Sequence, residues 1–179
     1  MKTLSKLFSL ALLLSLPMAC AQVEGKLVYG LEIEKDTTPE LEAYIVSMIE
    51  GMELTHGELD GYKLFVYPDY DIVTYLRKQA DPENAKKGDC IGGFTDTAKR
   101  EIHTTPYSIA HEFLHVKIDH NTLGVYSGSD HSEKTLWSKE DKNKMEDLRQ
   151  STTEQIPFEV GECNYKHTTI KPTEKQPWN

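Results

Sequence analysis

Apolar and polar residues alternate from Lys26 to Glu34, with Leu27, Tyr29, Leu31 and Ile33 on one side. A period of two predicts a β-strand there. The pattern then changes. Thr37-Thr38-Pro39-Glu40 places a threonine cap, a proline in the first turn and an acidic residue ahead of Leu41, Tyr44, Ile45, Met48, Ile49 and Met52. Those spacings put the six apolar side chains on one helical face, and the residues before them supply the helix start. The stripe is read as core. Tyr62 to Tyr67 predicts a second strand, closed by Pro68-Asp69, and Asp71 to Gln79 a short helix presenting Ile72, Tyr75 and Leu76.

Asp81 to Asp89 carries charge, proline and glycine and reads as a loop. Cys90 to Thr95 and Glu101 to Thr105 predict two short strands joined by a polar turn. The second runs into Thr104-Thr105-Pro106, which repeats the threonine-proline start seen at Thr37 to Pro39. A helix is therefore expected from Pro106, including Ile109, Ala110, Phe113 and Leu114. Asn121 to Asp130 is loop-like, and Ser138 caps a last helix bearing Met145 and Leu148. Periodicity fades after Ser151. No internal repeat and no boundary between two domains emerges, so the expectation is one α+β domain: a small mixed sheet packed on one central helix, with further helices around it.

The first 21 residues alter the setting of that domain. Lys2 and Lys6 precede an uncharged apolar run from Leu7 to Leu16, too short to span a bilayer, and small residues follow. This reads as a signal peptide over residues 1–21, cleaved after Ala19-Cys20-Ala21, or as a lipoprotein signal ending before Cys20. Residues 22–165 would then form the domain and 166–179 a polar tail. Either reading places the protein outside the cytoplasm: periplasmic, secreted, or lipid-anchored at the envelope through Cys20. In an oxidising compartment Cys90 and Cys163 are expected to pair, a bridge worth on the order of 3–5 kcal/mol. Loss of Lys2 and Lys6 takes the net charge from −9 to about −11. That balance, with no basic cluster, argues against nucleic-acid binding and against an anionic membrane surface. It is read as solubility.

The chemistry sits on the expected helix from Pro106. His111 and His115 are four residues apart in His111-Glu112-Phe113-Leu114-His115, and on a helix such residues stack on one face. Two imidazoles can thus serve one metal ion, with Glu112 beside them as a general base rather than a ligand. His56, His103 and His167 have no partner at metal-ligand spacing.

This H-E-x-x-H helix behind a strand pair resembles the zincin metallopeptidases. The resemblance covers mainly Cys90 to Gln150, with identity concentrated in the five-residue motif. It implies a Zn²⁺ cofactor, hydrolysis of a peptide or protein substrate by zinc-activated water, and Glu112 as base and then acid. It also implies that Cys90-Ile91-Gly92-Gly93-Phe94-Thr95 pairs with extended substrate. The two glycines there would either admit a second backbone or mark a bulge.

A catalytic zinc takes a third protein ligand. The metzincin extension of the motif is absent, since Ile118 stands where its glycine would be and Asn121 where its histidine would be. The expected third ligand is His131, at a spacing similar to that of SprT-like and related compact zincins. His120 stays open if the helix breaks just after His115, and so does a carboxylate such as Glu133 or Glu140. Lys134 to Ser138 resembles the metzincin turn beneath the metal, with Leu136 in place of methionine. Asp119 is weighed as a residue orienting His115, and Tyr126 as an oxyanion donor, with ordinary surface roles as the simpler reading of each. The alternative to a peptidase is an exported metal-binding or interaction protein on a degenerate zincin fold.

Overall fold

The computed structural model describes residues 25–82, 90–125 and 136–155. The expected signal peptide with Cys20, and Tyr126, His131, Glu133, Cys163, His167 and the expected tail, lie outside the described residues. So does the Cys90–Cys163 pairing, which stays a proposal.

The domain is α+β: a five-stranded mixed sheet with helices on both faces. Where one strand is expected over Lys26 to Glu34, the chain forms two, β1 (Lys26–Val28) and β2 (Leu31–Ile33), paired antiparallel with Val28 opposite Leu31. The turn between them is Tyr29-Gly30, both at positive φ (52° and 86°), as a two-residue hairpin turn of the right twist requires. The turn changes which side chains face inward. Val28, Leu31 and Ile33 are buried, whereas Leu27 and Tyr29 are exposed.

Helix α1 (Pro39–Gly51) starts as expected, with Thr38 Oγ1 accepting from the Leu41 N–H. Leu41, Ile45, Met48 and Ile49, followed by Met52, are buried. Tyr44 is half-buried and donates its hydroxyl to the Pro106 carbonyl at 2.9 Å. That bond ties α1 to the segment leading into the motif helix. A short helix that the apolar pattern does not predict, α2 (His56–Leu59), follows, held by a reciprocal cap between Thr55 and Glu58.

Strand β3 (Lys63–Val66) pairs parallel with β2 and with β5 (Glu101–Thr104). Between β3 and β5 the chain forms α3 (Tyr70–Ala80), capped by the Asp69 side chain, and β4 (Gly93–Asp96). The strand order is β1-β2-β3-β5-β4, so β4 is an edge strand, antiparallel to β5.

Alternation along β3, β5 and β4 assigns the two faces of the sheet. Leu64, Val66 and Ile102 enter the main core with α1 and with the motif helix α4 (Ile109–Asn121). Phe65, Phe94 and Tyr67 belong to a smaller cluster with Ile72 and Val73 of α3. His103 stacks between Phe65 and Phe94, each ring centroid 4.8 Å away, and its Nδ1 lies 3.1 Å from the Tyr67 hydroxyl. Burial holds this imidazole below its ordinary pKa.

The last helix, α5 (Lys139–Gln155), begins at Ser138, whose Oγ accepts from the Asp141 N–H. Asp141 also pairs with Lys117 of α4 at 2.9 Å, which docks the start of α5 on the motif helix. Among the described residues, no helix is long and apolar enough to cross a membrane.

Candidate metal centre

Pro106 does not open the motif helix directly. Pro106–Ser108 forms a 3-10 turn, and α4 proper starts at Ile109. From there Ile109, Ala110, Phe113, Leu114, Val116 and Ile118 are buried, most of them completely. At about 1.5–3 kcal/mol per large side chain, this burial fixes α4 against the sheet and α1. Two polar groups go in with them: Glu112 is 1% exposed and His115 4%. Burying such groups is unfavourable unless each finds a partner or a task.

The two motif histidines converge. His111 Nε2 and His115 Nε2 are 3.2 Å apart. Two nitrogens bound to one tetrahedral zinc at about 2.0–2.1 Å would stand roughly 3.3 Å apart. The imidazole pair therefore matches chelation of a single small cation. With a Glu112 carboxylate oxygen added, the ligand-type atoms of the group all lie within 4.8 Å of one another. His111, Glu112 and His115 thus form a group that can hold a metal ion.

Glu112 is set by the sheet edge. Thr95 Oγ1 donates to Glu112 Oε2 at 2.8 Å. Because β4 alternates, Gly93 and Thr95 share the face toward α4 while Phe94 faces α3. A Cβ built on Gly93 would stand 2.5 Å from Glu112 Oε1, and one on Gly92 2.2 Å from Ser108 Oγ. The two glycines neither mark a bulge nor leave room for a second backbone on this face. The space they leave is filled by the Glu112, Ser108 and Tyr70 side chains. Of the expected pairing segment, only Gly93 onward is strand. Burial pushes the Glu112 carboxyl up to about 8, against the Thr95 hydrogen bond and the positive charge of Arg77, which pull it down.

The remaining expected site residues separate. Helix α4 continues unbroken through His120, so the early break that would let His120 join His111 and His115 does not occur. His120 is exposed and lines a different cavity of about 450 Å³, with Tyr62, Arg100 and Asp119. Asp119 accepts from the Tyr62 hydroxyl at 3.2 Å, which anchors the end of α4 to the sheet. Glu140 lies on the surface of α5 in an ion pair with Lys144, outside the histidine group. His131 and Glu133 lie outside the described residues, and the third ligand is left open.

Three neighbours of the group lie in segments singled out in the sequence, but their contacts with the motif come from the tertiary fold. Thr95 and Gly93 are brought to Glu112 by the sheet. Trp137, ahead of α5, lies against both histidine rings, with centroids 5.3 Å from His111 and 5.0 Å from His115. Alternation through Phe94 signals which β4 residues face α4, and Trp137 belongs to the Lys134 to Ser138 stretch whose resemblance to the metzincin turn points it beneath the metal. A cleft of about 240 Å³ opens beside His111 and Glu112, walled by Tyr70, Gly92, Tyr107, Met145 and Arg149. None of the protein-family models, curated proteins or solved structures compared with the chain matches it.

Proposed function

We propose that the chain is an exported zinc-dependent metallopeptidase. The observation that carries the proposal is the 3.2 Å approach of the two Nε2 atoms with a buried carboxylate held beside them by the sheet edge. A site built only to hold an ion has no evident need for a carboxylate fixed by a threonine and a glycine of the edge strand.

Bound zinc supplies a Lewis acid that lowers the pKa of water and polarises a carbonyl. The chain's own groups do the rest. His111 and His115 hold the ion, with His131 the preferred third donor. Glu112 takes a proton from the attacking water and returns it to the leaving amine nitrogen as the peptide C–N bond breaks. Thr95 fixes the rotamer from which Glu112 acts. The cleft along Tyr70, Tyr107 and Met145 receives a substrate side chain, and β4, the edge strand among the described residues, offers backbone groups to an extended peptide.

The test is Glu112→Gln in the purified mature protein. It should retain stoichiometric zinc and lose peptidase activity by about 10²–10⁴-fold, the usual contribution of a general base. Cleavage at the unmutated rate would overturn Glu112 as the base, and zinc binding with no cleavage by the unmutated protein would leave a metal-binding protein without catalysis.

A further inference from the structure

We infer that Trp137 is a positioning residue for the metal centre, holding the His111 and His115 imidazoles in their chelating orientation by ring packing. The inference rests on the reading of those histidines as ligands. Trp137 is 4% exposed. Its ring meets His115 edge-on at 84° and His111 at a 40° tilt, and the two imidazoles meet each other at 75°. The three rings form one cluster, and the indole is the member that touches both ligands.

The physical need is clear from the side chains. The terminal torsion of a histidine is broad and poorly quantised, so two imidazoles on successive turns sample many relative orientations. The ion is bound most tightly when those orientations are fixed beforehand. Burial in the main core fixes the indole, and the fixed indole restricts both rings. Indole has a donor N–H and no in-plane lone pair, so it shapes the site without competing as a ligand. Its apolar face also excludes water from one flank of the pair, which controls the polarity around the ion.

Trp137 is also part of the main core, so a positioning role must be separated from packing. Leu148 of α5 is the control, since it packs on the same core against Gly51 and outside the histidine group. Three variants are compared with the unmutated mature protein, Trp137→Phe, Trp137→Leu and Leu148→Ala, for zinc dissociation constant and metal-free thermal midpoint. Trp137→Leu should weaken zinc binding about 10–100-fold, as loss of a ligand-orienting neighbour does. Trp137→Phe should recover most of the affinity. Leu148→Ala should lower the midpoint while changing zinc affinity less than about threefold. Equal losses of affinity in Trp137→Leu and Leu148→Ala would overturn the inference.

A second measurement leaves Trp137 in place. The chain has two tryptophans, so Trp178→Phe leaves Trp137 as the single indole emitter. Ni²⁺ should quench its fluorescence, saturating at one equivalent, and His111→Ala should abolish the effect. Stoichiometric Ni²⁺ binding without quenching would overturn the inference alone. Failure of the unmutated protein to bind Zn²⁺ or Ni²⁺ would overturn the ligand reading and this inference together.

Discussion

Helices α1 and α4 are each 13 residues long and both follow a Thr-Thr-Pro, which opens α1 directly and the 3-10 turn ahead of α4, yet they bury different things. In α1 the buried set is Leu41, Ile45, Met48 and Ile49, a single apolar stripe. In α4 a carboxylate and an imidazole are buried among Phe113, Leu114 and Val116. An apolar stripe stabilises the fold with no further condition. Buried Glu112 and His115 oppose folding unless their partners repay the lost hydration. The difference separates a helix that serves packing alone from one that also carries a group able to hold a metal ion.

Exchanging those buried groups tests the contrast most severely. His115→Leu should abolish stoichiometric metal binding and reduce peptidase activity by at least about 10³-fold. The metal-free protein should stay within about 1 kcal/mol of its original stability, because an apolar side chain replaces a buried polar one. Ile45→Ala should do the reverse, destabilising by about 2–5 kcal/mol through a cavity with metal content unchanged. Denaturant unfolding and metal analysis of both variants decide it. If His115→Leu destabilises the metal-free fold as much as Ile45→Ala, the buried imidazole is structural and the contrast fails.

Gly93→Ala sharpens the comparison from the sheet side. The added methyl would stand 2.5 Å from Glu112 Oε1, so the carboxylate must leave its place against Thr95. Turnover should fall about 10–100-fold, consistent with a displaced catalytic group, while zinc content holds. Gly57→Ala serves as the control, since a Cβ there meets nothing within 4 Å. It should leave turnover unchanged. Equal turnover in the two variants would show that the position of Glu112 does not matter to the reaction.

What the sequence made legible follows from the range of the interactions involved. The α1 stripe, β3, α3, β5 and α5 rest on periods and caps spanning a few residues, and they are found close to where they are expected. The beginning of the sheet was misread because a two-residue turn preserves alternation. Leu27, Tyr29, Leu31 and Ile33 keep a period of two through a hairpin that turns on Tyr29 and Gly30. Helix α2 is too short for a hydrophobic period, and the Thr55–Glu58 capping box was its available signal. In the site, His111, Glu112 and His115 were legible because spacing along one helix brings the imidazoles together. Thr95 and Gly93 reach Glu112 through strand pairing, and no local pattern encodes that meeting, whereas Trp137 lies in the Lys134 to Ser138 stretch that resembles the turn beneath the metal.

The smallest test lies at the two Thr-Thr-Pro starts. Thr38 accepts the Leu41 N–H and caps α1. Thr105 is fully buried, makes no side-chain cap to the 3-10 turn, and its hydroxyl has no hydrogen-bond partner among the described residues. The proline that follows it starts a turn rather than the helix itself, which removes the geometry a cap would serve. Thr38→Ala should therefore cost about 1 kcal/mol. Thr105→Val, which keeps the shape and removes the unbonded hydroxyl, should be neutral or stabilising by up to about 1 kcal/mol. The sign of the Thr105→Val effect in denaturant unfolding is the informative quantity. A loss comparable to that of Thr38→Ala would mean that the hydroxyl has a partner in solution, and that the two starts are chemically alike after all.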